Sequence, residues 1–325
     1  MLSYVVRRAL IGCVTLFLAS FVVYGLVRAI PGDPTAFEAG GEGGARLSEE
    51  QLAELRKTYG LDRHWTVAYA SWLGNLLTGD LGTSFRMRRP VATLILEAAG
   101  PTLLLSVTSL LLAYCISIPL GLHAAYRFGK ADERLSAAVV YLLYSLPSYV
   151  VAIYLLLLFG VKLRWLPLSR MYGPNYDDLT THQKLWDLAA HLVLPVTCYT
   201  YGAVAYYTRF LRANLSEVVR QDFIRTARAK GLGEGAILVR HALRSSLVPF
   251  VTMVGLSLPA LFSGSVILER IFSWPGMGRL FFDAFLYRDY PLVMGLTLTF
   301  SLLVVAGTLI ADVLCAAVDP RISYD

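Results

Sequence analysis

Apolar residues along this chain gather into six long runs separated by polar clusters. The runs cover residues 9–27, 102–126, 135–161, 188–208, 245–268 and 290–311, and none holds Asp, Glu, Lys or Arg. A helix needs roughly 20 apolar residues to cross a ~30 Å hydrocarbon core. Each run is long enough. The ten-residue alternation of an outer-membrane strand is missing, and backbone groups in lipid must be satisfied within helices. The pattern predicts an all-α integral membrane protein with six transmembrane helices.

The runs are interrupted in a particular way. Pro119, Pro147, Pro195, Pro249 and Pro259 lie inside them, and each proline is expected to kink its helix. Gly255, Ser257, Ser263, Gly264 and Ser265 crowd the fifth run, where small side chains allow close helix approach. Such spans suit a bundle that opens and closes, and they also occur in static bundles.

Polar segments carry their own periodicity. Within 28–100, Ser48-Glu49-Glu50-Gln51 reads as a capping box, followed by an apolar stripe at Leu52, Leu55 and Tyr59. Arg56 and Lys57 sit near the end of this helix, and Gly60 can cap it. Trp65, Tyr69, Trp72 and Leu76 repeat at helical spacing, and Gly79-Asp80-Leu81-Gly82 reads as a turn. This segment is either a helical cap with its tryptophans at the interface or a docking surface for an external protein.

The segment 209–244 is the most informative. Leu215, Val219, Phe223 and Ala227 fall on one i, i+4 line, flanked by Arg220, Arg225 and Arg228, which predicts a helix with an apolar ridge. Gly231, Gly233 and Gly235 break it. A second helical pattern runs from Ala236 through His241 and Arg244. The plain alternative is a basic interfacial loop. A helical hook outside the bilayer, with a ridge to bury, points instead to a soluble partner.

Charge sets the orientation. The chain is 56% hydrophobic and only 16% charged, against about a quarter charged in soluble domains. With the N-terminus inside, 14 of the 29 Lys and Arg lie on the inner side and 15 on the outer side. Eight of the outer ones fall in the long 28–100 segment, which the positive-inside rule discounts. That leaves seven, so both termini are expected inside. The net charge of +6 then reflects topology, and no nucleic-acid partner is expected. The first run follows Arg7 and Arg8 like a signal peptide. No Ala-x-Ala site succeeds it, so it reads as a retained span.

Other chemistry is sparse. Cys13, Cys115, Cys198 and Cys315 lie in or beside spans without metal-site spacing, and read as small apolar residues. The histidines at 64, 123, 182, 191 and 241 share no His-x-x-x-His spacing, and His123 and His191 are expected at the interface. Glu269 and Asp312, near span ends, read as capping or packing ions, although intramembrane acids are often functional. No metal or catalytic residue is predicted. An intramembrane enzyme and a simple channel are the rival classes.

Asp222–Leu232, continued by His241-Ala242-Leu243-Arg244 and Pro249, resembles the cytoplasmic coupling loop (EAA loop) of ABC-transporter permeases. The chain is similar to the dipeptide/oligopeptide/nickel family, first of its two paired permease types. Further signatures are Ile30-Pro31-Gly32-Asp33-Pro34, Gly79-Asp80-Leu81-Gly82, Ile271-Phe272-Ser273-Trp274-Pro275-Gly276-Met277-Gly278, Arg288-Asp289-Tyr290-Pro291 and Asp319-Pro320-Arg321. Where the wider superfamily has Glu-Ala-Ala, this chain has Arg225-Thr226-Ala227, as is typical of the peptide subfamily.

The resemblance implies a type I importer permease in a bacterial or archaeal cytoplasmic membrane. It implies an N-terminal helix at 1–30, an extracytoplasmic helical segment at 31–100, and a transmembrane domain at 95–318 carrying a coupling loop at 209–246. Partners would be a second homologous permease, two ATP-binding subunits, an extracytoplasmic solute-binding protein and membrane lipid. Asp222, Phe223, Arg225, Thr226, Ala227, Arg228, Lys230, Gly231 and His241 would couple to an ATPase subunit. ATP and Mg would stay on those subunits, since this chain lacks Gly-x-x-x-x-Gly-Lys-Ser/Thr and binds no cofactor itself. The cargo would be di- or oligopeptides, with nickel or glutathione as alternatives.

Overall fold

In a computed structural model, residues 2–29, 48–58, 62–127, 129–246 and 264–318 are described, together with Met253, Ser257 and Leu261. The Ile30–Pro34 and Asp319–Arg321 signatures, Tyr59, Gly60, Pro249 and most of the fifth run lie outside them. The described residues are mostly helical, with one isolated β-bridge between Thr83 and Pro90.

Helix α1 spans Leu2–Ala29, α2 Glu49–Thr58, α3 Trp65–Leu77, α4 Val91–Tyr126, α5 Ala131–Ser145 and α6 Ser148–Leu155. The last continues as a π-helical turn, Leu156–Lys162. Then come α7 at Thr181–Val218, α8 at Asp222–Ala229, α9 at Val266–Ile271, α10 at Met277–Leu286 and α11 at Tyr290–Val318. Four stretches are long and apolar enough to cross a membrane: Val6–Ala29, Val91–Tyr126, Thr181–Val218 and Tyr290–Asp312.

The third run differs from expectation. It divides into α5 and α6, which meet at 94°, and counts as a fifth crossing only if this bent pair is one span. Leu146 is extended (φ −85°, ψ 128°), as the residue before a proline prefers, and its carbonyl accepts the Tyr201 hydroxyl at 2.6 Å. Pro101, Pro119 and Pro195 lie within unbroken helices. Packing explains the contrast. Helices α4 and α7 share apolar clusters on both sides of Pro119 and Pro195: Leu105 with Leu192 and Val196, Ala113 with Val204 and Tyr207, and Ile118 and Leu122 with Leu211 and Leu215. Helix α5 is less covered, with Leu135, Tyr141 and Leu142 exposed.

The α4–α7 pair is the core of the bundle, with Thr200 donating to the Ser109 carbonyl at 3.3 Å. Arg212 on α7 meets the buried Glu133 on α5 at 2.6 Å. Helix α11 packs on α1, where Asp312 pairs with Arg8 at 3.0 Å. The aromatic repeat at 65–76 forms α3 as its spacing predicts. It turns Tyr69 onto α1, with Ser20 Oγ 3.0 Å from the Tyr69 hydroxyl and the Phe21 ring 5.3 Å away.

Candidate functional site

Helix α7 stops at Val218, and a tight turn carries the chain into α8. Val219 N–H donates to the Leu215 carbonyl, Arg220 N–H to Glu217 and Gln221 N–H to Val218. The expected continuous ridge is therefore split. Leu215 is buried on α7 and Val219 half-buried in the turn, whereas Phe223 on α8 is 42% exposed. The buried face of α8 is Ile224 and Ala227, packed on Leu211, Leu215, Val218, Ile237, Leu238 and Ala242. The turn rotates α8, so the i, i+4 line cannot pass through it.

The end of α8 is fixed by its glycine. Gly231 has φ +79°, Leu232 N–H donates to the Ala227 carbonyl at 3.3 Å, and Gly231 N–H donates to the Arg228 carbonyl at 2.9 Å. These bonds close a Schellman motif around the cap residue Lys230. Asp222 opens the helix, where the dipole favours an acid, and Thr226 Oγ1 donates to the Asp222 carbonyl at 3.0 Å. Arg225 contacts Asp222 at 3.3 Å with both side chains exposed.

Arg228 is held by a residue the sequence reading passed over. Its Nε and Nη2 donate to the two oxygens of Glu234 at 2.6 and 3.1 Å. The hydrogen bonds hold the Glu234 carboxyl below its usual range and raise the Arg228 guanidinium. Glu234–Ala236 forms one helical turn that runs into a π-helical segment, Ile237–Ala242. Its buried Ile237, Leu238 and Ala242 back the hook from below.

Of the nine expected coupling residues, Asp222, Phe223, Arg225, Thr226, Arg228, Lys230 and Gly231 are exposed. His241 is half-buried and Ala227 faces inward. Phe223 and His241 meet Arg240, Arg244 and Ser245 around a concave surface of about 540 Å³. Residues 220–244 hold six cations and two acids. The hook thus presents an exposed aromatic ring within a cationic surface, on a base fixed by burial. Such a surface can enter a groove and pair with acids there.

Three remote signatures meet elsewhere. Glu269 is fully buried, and its carboxylate accepts the Thr102 hydroxyl at 3.1 Å and the Arg279 N–H at the start of α10 at 2.9 Å. Trp274 donates its Nε1–H to the Pro101 carbonyl at 2.9 Å. Asp289, also buried, accepts the Ser84 hydroxyl and the Phe85 and Arg86 N–H groups, joining the Arg288–Pro291 signature to the loop after Gly79–Gly82. Glu269 and Asp312 have the capping and packing roles expected of them. His191 is buried on α7, with Nδ1 2.7 Å from the Asp187 carbonyl oxygen.

Two family models cover nearly the whole chain. Residues 117–324 match "Binding-protein-dependent transport system inner membrane component", and residues 1–106 match its N-terminal counterpart. The chain belongs to this family of binding-protein-dependent transport permeases. The oligopeptide transport system permease protein AppB of Bacillus subtilis (strain 168) is 37% identical over 326 residues, with 100% of each chain covered. The glutathione transport system permease protein GsiC of Shigella flexneri serotype 5b is 36% identical over 324 residues, also with full coverage of both. The peptide-permease resemblance drawn from the motifs holds at family level. An inward-facing structure of the MetNI methionine ABC transporter aligns with a TM-score of 0.53 at 17% identity, covering 70% of this chain and 97% of that one. At that identity the likeness supports the fold. The protein is a multi-pass membrane component of a transport system.

Proposed function

We propose that this chain is one permease subunit of an ATP-driven importer that carries di- or oligopeptides across the cytoplasmic membrane. The observation that carries this reading is the end-to-end similarity to the oligopeptide permease. Six spans with both termini in the cytoplasm place the hook on the cytoplasmic side, in keeping with 14 inner cations against seven in the short outer segments. There Phe223, with Asp222, Arg225, Thr226, Arg228, Lys230 and His241 around it, enters a groove on an ATP-binding subunit. Ala227 and Gly231 set the position and the end of the helix. A second, homologous permease completes the pathway, and an external binding protein delivers cargo. Nucleotide and magnesium stay on the ATP-binding subunits.

The chemistry demanded of this chain is mechanical. ATP-driven closure of the ATPase pair displaces α8, and α8 is tied through the Leu211–Leu215 cluster to the foot of α7. The α4–α7 pair then rocks as a rigid body between inward- and outward-open states. A strain lacking this chain should resist toxic peptides. Unaltered sensitivity, with no redundant uptake system, would overturn the peptide assignment. Glutathione is the second reading, favoured by the full-length similarity to GsiC. Competition between glutathione and a tripeptide for uptake separates the two.

A further inference from the structure

Helix α5 is joined to the bundle by polar ties. Of its 15 residues only Glu133 is buried, and none belongs to the apolar clusters of the described residues. An apolar groove of about 600 Å³ lies between α5 and the α4–α7 pair, with Leu135, Val139 and Leu143 on one side and Leu112, Ile116 and Val204 on the other. Three contacts bridge from α5 to α7. At the foot, Arg212 Nη2 lies 2.6 Å from Glu133 Oε1. Midway, the Arg209 guanidinium stands 5.3 Å from the centre of the Tyr144 ring, within cation–π reach. At the far end, the Tyr201 hydroxyl donates to the Leu146 carbonyl.

The lowest tie meets the seat of the hook. Arg212 follows Leu211 on α7, and Leu211 and Leu215 are fully buried in the cluster that holds Ile224 and Ala227 of α8. A displacement of α8 that moves the foot of α7 therefore carries Arg212 with it. Glu133 must follow, because parting the pair leaves an uncompensated charge away from water. Charge rather than hydrogen-bond alignment holds the two together: Oε1 has no aligned donor despite the short contact, and Oε2 accepts the Gly129 N–H at 3.4 Å. The other end of α5 is a joint. Leu146 is extended and α6 leaves at 94°, so α5 can swing against α6 without breaking a continuous helix. The groove leaves room for that swing.

We propose that Arg212 and Glu133 are positioning residues for coupled transport: they make α5 follow the foot of α7 when the hook is displaced, with Leu146–Pro147 as the pivot. The proposal rests on the importer reading given above. A tie that only stabilises the fold would affect stability and leave coupling alone.

The test uses the whole transporter, purified with its companion subunits and reconstituted in proteoliposomes. Uptake of a labelled tripeptide and of labelled glutathione is measured beside ATP hydrolysis. Glu133→Gln keeps the shape and removes the charge. It should lower the cargo moved per ATP roughly fivefold, the low end of coupling between sites, with the subunits still co-purifying and basal hydrolysis unchanged. Arg212→Lys, which keeps the charge, should retain most of the ratio. Glu133→Gln/Arg212→Gln leaves no buried charge unpaired, so its thermal unfolding should return toward wild type while the ratio stays low. Recovery of the ratio together with stability would make the pair a structural tie and overturn the proposal. So would a wild-type ratio in Glu133→Gln. A second measurement holds if the Gln variants misfold. Spin labels at Leu135→Cys and Tyr154→Cys, exposed positions on α5 and α6, report on the pivot in a background whose native cysteines are replaced by serine and whose Arg212–Glu133 pair is intact. Trapping with ADP and vanadate should change their separation, and an unchanged separation would overturn the proposal. Wild type that moves neither cargo with ATP would instead overturn the importer reading, and the proposal with it.

Discussion

Thr102 on α4 donates its hydroxyl hydrogen to the buried carboxylate of Glu269 at 3.1 Å, and the same oxygen accepts the Met277 N–H at 2.8 Å. One side chain thereby joins three helices, 167 and 175 residues away in sequence. Thr102→Val keeps the shape and removes both bonds. Each buried group left unpaired costs about 1–3 kcal/mol, so thermal unfolding of the purified protein should show a loss of about 2–5 kcal/mol. Thr102→Ser should stay within about 1 kcal/mol of wild type, since the hydroxyl survives. Gly276→Ala should be worse than Thr102→Val, because its Cβ would lie 2.5 Å from both Glu269 Oε2 and Thr102 Oγ1.

Gly231 separates backbone conformation from space. A Cβ there meets nothing within 4 Å, yet φ is +79°. Gly231→Ala should therefore lower substrate-stimulated ATP hydrolysis partially, through a strain of about 1–2 kcal/mol. Gly231→Pro cannot adopt this φ and also loses the N–H given to Arg228. It should abolish transport and stimulated hydrolysis while the chain remains in the membrane. Full coupling in the Pro variant would remove the hook from the mechanism.

Phe223 and Ile224 are neighbours with opposite expectations. Phe223 is 42% exposed and Ile224 fully buried. Phe223→Ala should leave stability within about 0.5 kcal/mol, as surface changes do, and weaken co-purification of the ATP-binding subunits. Ile224→Ala should cost about 2–5 kcal/mol of stability. Equal effects of both on stability would mean that α8 is not seated as described.

The Arg228–Glu234 pair predicts a pH window. Hydrogen bonding to Arg228 lowers the Glu234 carboxyl from its ordinary value of 4.5. A lowered acid contributes stability that is present above its unfolded value and lost as pH falls through the lowered folded value. The pair should thus be indifferent between pH 6 and 8 and fail only in acid, below the ordinary carboxylate value. Carboxyl NMR titration should place Glu234 low in wild type and near its ordinary value in Arg228→Gln. An unchanged midpoint would contradict the pairing.

Much of the site was legible in the sequence. The glycine stop at Gly231 was, because a Schellman end needs a residue that tolerates positive φ. So was α3, because three aromatic residues and a leucine at helical spacing leave little choice. The anchoring role of Ile224 was not, since a helix drawn straight through Val219–Gln221 puts Phe223 on the buried line. Glu234 escaped notice because its partner lies across the Gly231–Gly233 turn, where helical spacing says nothing. The break at Pro147 resembled the kinks expected at Pro119 and Pro195 because local chemistry is the same at all three.

Charge-free run length and helical periodicity by themselves determined the class of this protein, the main apolar stretches and the place of the hook. These follow from bilayer thickness and backbone hydrogen bonding, which act on each segment separately. Tertiary structure alone decided which face of α8 is buried, which prolines pass through intact helices, and that Thr102 meets Glu269 and Ser84 meets Asp289. Those outcomes depend on neighbours far away in sequence. A stripe of apolar residues states that a surface must be covered, and only packing states by what.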